Sequence, residues 1–210
     1  MPDSQDPSWS IKEHPRAAEH LGRAAQGILE SLRAGSGEDR LAFLCDTRAV
    51  HCELFTPLTP EGHAAYAGTY RGEAGSILEH RKAAIHYKNI EGLKERYPAL
   101  NPAEVIPYMA TLEDFIRETF LAAEGFDTDT YFTRMVRIFG MFSKIHPYLD
   151  GNGHISRMMM VLLAEHKGVE VSPAWTIHPR PYGIEMAIAF EHYKTCPVIL
   201  KQVLKLWFKV

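Results

Sequence analysis

Two apolar segments on either side of a short glycine-bearing loop constrain this chain more than any other feature. From Thr130 to Ile145, apolar residues fall around most of a helix: Tyr131, Phe132, Met135, Val136, Ile138, Phe139, Phe142 and Ile145. A helix with so little polar surface belongs in the middle of a domain, because a helix at the surface keeps one wet face. A second central helix is predicted from about Ile155 to Lys167. It contains the apolar run Met158 to Ala164 and is closed by Gly168. The chain has 210 residues, 46% of them hydrophobic, which is enough for one well-packed core.

The remaining periodicity is also helical. Ala17, Leu21, Ala24, Ala25, Ile28, Leu29 and Leu32 place an amphipathic helix between Pro15 and about Arg33, ended by Gly35-Ser-Gly37. A second helix is expected from Glu38 to about Cys52, and a short one at Thr59-Pro60, with Thr59 as cap. Asn101-Pro-Ala-Glu104 is a helix start with a capping carboxylate at its third position, and Thr111 to Ala123 is helical in pattern. Further helices are expected over 182–193 and 197–208. Residues 1–10 read as a flexible leader, and 11–210 as a single domain. Between Gly72 and Asn89 the texture changes to glycines and β-branched residues around the charged Glu79-His-Arg-Lys82. Ser76–Leu78 and Ala84–Tyr87 could be the arms of an exposed hairpin. A mobile flap and a surface loop with partial strand character are equally compatible with that stretch.

Several function classes recede on composition. The formal charge of −3 does not suggest a general nucleic-acid surface. The polar start MPDSQDPSWS lacks an apolar signal core, and no run approaches the length needed to cross a bilayer. The expectation is a cytoplasmic protein with no membrane partner, although secretion by a route without a cleaved signal would be invisible here. Cys45, Cys52 and Cys196 form no CxxC pair. Cys45 and Cys52 with His51 would make a poor metal site, and buried thiols in a reducing compartment are the simpler reading.

The chemistry concentrates in the loop His146-Pro-Tyr-Leu-Asp-Gly-Asn-Gly-His-Ile-Ser-Arg157. A histidine that ends an apolar helix is often structural, but a neutral imidazole there can also take a proton from a hydroxyl. Tyr148 reads as an aromatic anchor in the core. Asp150 is either a turn carboxylate or a ligand for a hard cation. Gly151, Asn152 and Gly153 let backbone amides converge into an anion-binding nest, aided by the dipole of the following helix; a plain tight turn is the alternative. Arg157 offers a fork of donors to phosphate oxygens, or pairs with Asp150. His154 lies near the same anion site as a weaker donor. Together these residues suit nucleotidyl or phosphoryl transfer by positioning and electrostatics. No Walker A loop or HExxH motif is present.

The loop resembles the pattern of the Fic family, HxFx(D/E)GNGRxxR. His146, Asp150, Gly151, Asn152, Gly153 and Arg157 match, Tyr148 takes the aromatic position, and His154 stands where the family has arginine. The resemblance covers about residues 50–175. It implies a mainly α, Fic-type helical fold with a small β-hairpin flap. The implied activity is transfer of AMP from ATP to a Ser, Thr or Tyr hydroxyl of a protein. In that scheme His146 is the general base and Asp150 the Mg²⁺ (or Mn²⁺) ligand. Gly151, Asn152, Gly153, His154 and Arg157 lie against the nucleotide phosphates, Arg157 also serving catalysis. The flap, about 75–87, would hold an extended target segment by strand pairing, with Ile77 and Ile85 as candidates to cover its side chain. The histidine at position 154 keeps two alternatives open: a related transferase using another phosphate-containing donor or another acceptor, and a nonenzymatic binding or regulatory module on the same fold. The family's inhibitory motif (S/T)xxxE(G/N) finds no match; Thr119 to Gly125 comes nearest, one residue out of register. A separate inhibitory protein is then a candidate partner. Arg71 and Lys144 are candidate replacements for the missing charge.

Overall fold

The two apolar segments form helices that pack against each other at the centre of a mainly helical structure, a computed structural model that describes residues 7–88, 94–193 and 196–210. In chain order the helices are α1 (Ala17–Ala34), α2 (Gly37–Cys45), α3 (Arg48–Phe55), α4 (Pro102–Leu121), α5 (Thr128–Ile145), α6 (Asn152–Lys167), α7 (Ile184–Glu191) and α8 (Pro197–Leu204). On α6 every residue from Ile155 to Ala164 is buried. That includes Ser156 and Arg157, so the helix has no wet face until its last turn. Each fully buried Leu or Met contributes about 1.5–3 kcal/mol of transfer free energy, which makes α6 the main cohesive element. Gly168, at φ 75°, ends it. α4 and α8 cover α5, and α2 packs on α4.

Local chemistry accounts for several helix ends. Glu104 accepts from the Asn101 amide at the start of α4. Asp127 accepts from the Thr130 amide and so moves the start of α5 to Thr128, two residues earlier than periodicity indicates. Pro107 lies inside α4, and the two helical stretches expected around it are one helix.

The expected helix over 38–52 is broken at Asp46-Thr47. Asp46 accepts from the Arg48 amide at 3.0 Å, and the buried Thr47 hydroxyl bonds to Tyr148 Oη at 2.7 Å. A local carboxylate acceptor and a tertiary hydroxyl partner displace the helical path there. No helix starts at Thr59; its hydroxyl donates to Thr56 O, closing the 3-10 turn over 56–58.

The hairpin exists, but its arms are Ala84–Lys88 (β1) and Lys94–Pro98 (β2), paired antiparallel with Ala84 opposite Pro98 and Ile85 opposite Tyr97. The expected first arm, Ser76–Leu78, is a compact turn. Gly72 donates to Leu78 O, the Gly75 amide donates to Glu79, and Leu78 is buried. A Cβ on Gly72 would fall 1.8 Å from Pro102 O, and Gly72 sits at φ 79°, so only glycine lets this turn press against α4. Ile77 is exposed on the turn, away from the hairpin register. Residues 89–93 lie outside the described residues. A second two-stranded ladder, β3 (Glu170–Val171) with β4 (Phe208–Lys209), ends the last helix at Leu204 rather than Phe208.

The N-terminal segment is attached from Pro7 onward, against the reading of 1–10 as flexible; residues 1–6 lie outside the described residues. Trp9 Nε1 donates to Leu58 O at 2.8 Å, and its ring meets His51, Phe55 and Tyr66. Tyr66 Oη donates to Pro7 O. One large ring in an aromatic socket offsets the chain entropy of ordering a short strap. Of the cysteines, Cys45 is buried and Cys52 is exposed, so the expectation of buried thiols holds only in part. No described helix is long and apolar enough to cross a membrane.

Candidate active site

The loop between α5 and α6 is fixed from below by aromatic packing and from the side by an arginine. Tyr148, fully buried, stacks on His51 with ring centroids 3.6 Å apart. The Gly68 amide donates to His51 Nδ1, which leaves Nε2–H to donate to Asp150 O at 3.0 Å. Both ring nitrogens are therefore used, and burial lowers the His51 pKa to about 3. His51 is a neutral brace for the loop and not a metal ligand beside Cys45 and Cys52. Asn152 turns its side chain back into the loop: Oδ1 accepts from the Tyr148 amide and Nδ2 donates to Tyr148 O, both at 2.9 Å.

Arg71 is fully buried, and its five N–H groups make five hydrogen bonds, all to carbonyls. Nε and Nη2 donate to His146 O, Nη2 also to Ile145 O, and Nη1 to Arg81 O and Leu100 O. Two of these acceptors are the last carbonyls of α5, where the helix dipole favours a cation. Burial lowers the Arg71 pKa to about 10, still well above neutrality. Its donors are thus committed to the backbone, and it does not replace a phosphate-binding arginine.

The clamp explains His146. This residue has φ 53° and ψ 61°, the one non-glycine with positive φ among the described residues. The left-handed conformation costs an ordinary residue about 1–2 kcal/mol and persists only where neighbours over-determine it. Here its amide bonds Phe142 O, its carbonyl takes two Arg71 donors, and Pro147 follows. Proline disfavours continued helix at the preceding residue. His146 is half-buried at this corner.

Asp150 is held by two amides: Gly151 N–H donates to Oδ1 at 2.7 Å and Ile11 N–H to Oδ2 at 2.9 Å. Burial raises its pKa, the two amides and Lys12 acting the other way. Each oxygen keeps a lone pair. A single carboxylate completed by phosphate oxygens and water is a common way to hold Mg²⁺, and this donor fits it. Among the described residues no cluster of three or more His, Cys, Asp or Glu could hold a metal by itself.

Gly151, at φ 81°, lies against Phe55 and His51, where a Cβ would come within 2.5 Å of the Phe55 ring. Its carbonyl accepts from His154, the first bond of α6. The amides of Asn152 and Gly153 precede that bond, as the open end of the helix requires. The expected nest is thus smaller than three amides, because Gly151 N–H is spent on Asp150.

His154 and Arg157 meet a segment that sequence reasoning missed, 177–182. His154 Nε2 lies 3.2 Å from His178 Nδ1, and Phe55 meets the His154 ring edge-on. Burial first, then the nearby charge of Arg157, lowers the His154 pKa to about 2, so it is neutral near physiological pH. Arg157 is 2% exposed. Its Nε and Nη2 donate to Ile177 O, and Nη1 donates to Tyr182 Oη. It forms no ion pair with Asp150 among the described residues, which removes that alternative. Its Nη1 still lies beside the first turn of α6, 3.0 Å from where a Cβ on Gly153 would be. A cleft of about 530 Å³ between α1, α6 and β3 reaches His178 but none of the loop residues.

One loop of this mainly helical fold thus carries a strained histidine, a partly buried carboxylate and a glycine turn that opens a central helix. The chain matches the Fic/DOC family model over residues 46–164 and belongs to that family. Among curated proteins no sequence matches it. Its fold is similar to the N-terminal Fic domain of a VirB-translocated Bep effector protein from Bartonella quintana, with TM-score 0.62 and 18% identity over 94% of this chain and 82% of that one. It is also similar to the BepC effector protein of Bartonella tribocorum with bound AMPPNP (TM-score 0.53, 15% identity, 90% and 87% covered). A Fic family protein from Desulfovibrio desulfuricans G20 matches with TM-score 0.51 and 20% identity, over 91% of this chain and 51% of that one.

Proposed function

We propose that the protein transfers AMP from ATP to a Ser, Thr or Tyr hydroxyl of a target protein. The observation that carries this reading is His146, held in a strained left-handed corner by the amide and carbonyl contacts described above, one loop away from a partly buried carboxylate and the open end of α6. Strain retained by so many contacts marks a residue whose position matters. Family membership and the AMPPNP bound to the BepC protein support nucleotide as the donor.

In this reading His146 takes the proton of the attacking hydroxyl. The hydroxyl oxygen bonds to the α-phosphorus of ATP, the bond to the β-phosphate bridging oxygen breaks, and pyrophosphate leaves. The amides of Asn152 and Gly153, with Arg157, face the anionic portion. Mg²⁺ at Asp150 would neutralise phosphate charge. Arg157 would have to exchange Tyr182 Oη or Ile177 O for phosphate oxygen, which makes 177–182 the segment that adjusts when donor binds. The target segment would add to the edge of the β1–β2 hairpin, Ala84–Pro98, by main-chain pairing. Regulation would come from a separate inhibitory protein.

The test is incubation with labelled ATP, Mg²⁺ and host lysate, with mass analysis of the products. AMP adducts from the wild type that vanish in His146→Ala support the reading. Adducts that persist in that variant, or transfer from another donor and none from ATP, refute it. The neutral, partly buried His154 favours a second reading, a transferase using a donor with fewer phosphate charges, and the same panel of donors distinguishes it.

A further inference from the structure

Position 154 lacks the positive charge of the family pattern, and Arg71 cannot restore it because its donors are spent on carbonyls. The N-terminal segment brings a lysine next to the residue that bonds Asp150. Trp9 anchors that segment in its aromatic socket, and the buried Ile11 donates its amide to Asp150 Oδ2 at 2.9 Å. Lys12 is the next residue, in the 3-10 turn Ile11–Glu13, with an exposed side chain and no ion-pair partner among the described residues. It directly follows the residue bonded to Asp150, and its charge is a minor influence on Asp150 and His154, the two groups that border the expected phosphate site. A lysine on a flexible four-carbon stem serves as a mobile point charge for phosphate. Arg180 is another cation of this region, but it lies over the Tyr182 ring and its charge acts on Arg157, which is already cationic.

We propose that Lys12, presented by the docked N-terminal segment, is the cation that binds the donor's phosphates in place of the arginine that His154 replaces. The segment would then be part of the substrate site. This inference rests on the nucleotide-transfer reading. The test is equilibrium binding of AMPPNP with Mg²⁺ to the wild type, Lys12→Ala, Lys12→Arg, Trp9→Ala and Arg180→Ala, alongside melting curves. Lys12→Ala should weaken binding roughly tenfold, as loss of one charge-assisted phosphate contact does. Its melting temperature should stay unchanged, since the side chain is exposed. Lys12→Arg should bind within about threefold of the wild type, because charge and reach are kept. Trp9→Ala should give a loss like that of Lys12→Ala, and the double variant should add little, because both act through one element. Lys12→Ala binding like the wild type, or a loss carried by Arg180→Ala instead, overturns the inference and leaves the nucleotide reading standing. A wild type that binds no AMPPNP refutes both.

Discussion

Replacing Arg71 tests whether one buried guanidinium holds the left-handed corner at His146. In Arg71→Met the side chain keeps its bulk and loses all five donors. Five charge-assisted hydrogen bonds at the low end of their range amount to about 7 kcal/mol. The low end applies because several of the carbonyls are only partly buried and water recovers some of the loss. Against this, removing a buried cation recovers its desolvation. The fall in pKa from 12.5 to about 10 puts that recovery at about 3 kcal/mol. The net loss is about 4 kcal/mol, or roughly 8–16 °C of melting temperature for a domain of this size. Arg71→Lys keeps the charge with three donors and should lose about half as much. Calorimetry or denaturant titration of the three proteins, with transfer activity measured well below each midpoint, reads both effects. The folded fraction of Arg71→Met should also lose activity, because His146 is no longer over-determined. A melting temperature within about 2 °C of the wild type would show that the clamp does not hold the corner.

His146→Gly should be more stable than His146→Ala by about 1 kcal/mol, since glycine takes φ 53° without strain; equal midpoints in denaturant would contradict the strain argument. The folded-state pKa values of His51 and His154 are both depressed, to about 3 and about 2 from 6.5. Their contribution is therefore complete above pH 6.5 and is lost as pH falls below it, by up to about 1.4 kcal/mol per pH unit for each histidine. His154→Gln should roughly halve the fall between pH 5.5 and 4.5, and an unchanged slope would remove His154 from the account. Gly72→Ala should destabilise by several kcal/mol because its methyl carbon would meet Pro102 O at 1.8 Å; a thermal melt that barely moves would show that the turn and α4 shift apart easily.

The elements legible in the sequence are those whose causes are local. The apolar faces of α5 and α6, the Asn101–Glu104 start of α4 and the Gly168 stop each depend on residues within a few positions of one another. The break at Asp46-Thr47 depends on Tyr148, far along the chain, and pattern alone does not anticipate it. The hairpin was readable as a change of texture, but its first arm was misplaced because Leu78 looks like strand and is buried in a turn. In the candidate site the loop residues were legible as chemistry. Their neighbours were not. Segment 177–182 has no periodicity to mark it, and Arg71 carries no local sign that four carbonyls elsewhere in the chain await it. The polar start of the chain hid Trp9, whose ring partners come from two later segments, α3 and the turn ending at Tyr66.

The bond between Ile11 and Asp150 also fixes an order of assembly. The two residues are 139 positions apart. A ribosome adding 5–20 residues per second takes about 7–28 s to cover that distance. Throughout that interval the segment carrying Trp9 and Lys12 has been made but its carboxylate anchor has not. The aromatic socket for Trp9, from residues 51–66, is complete long before Asp150 is made, so the segment can be anchored at Trp9 well before its second tie, at Ile11, can form.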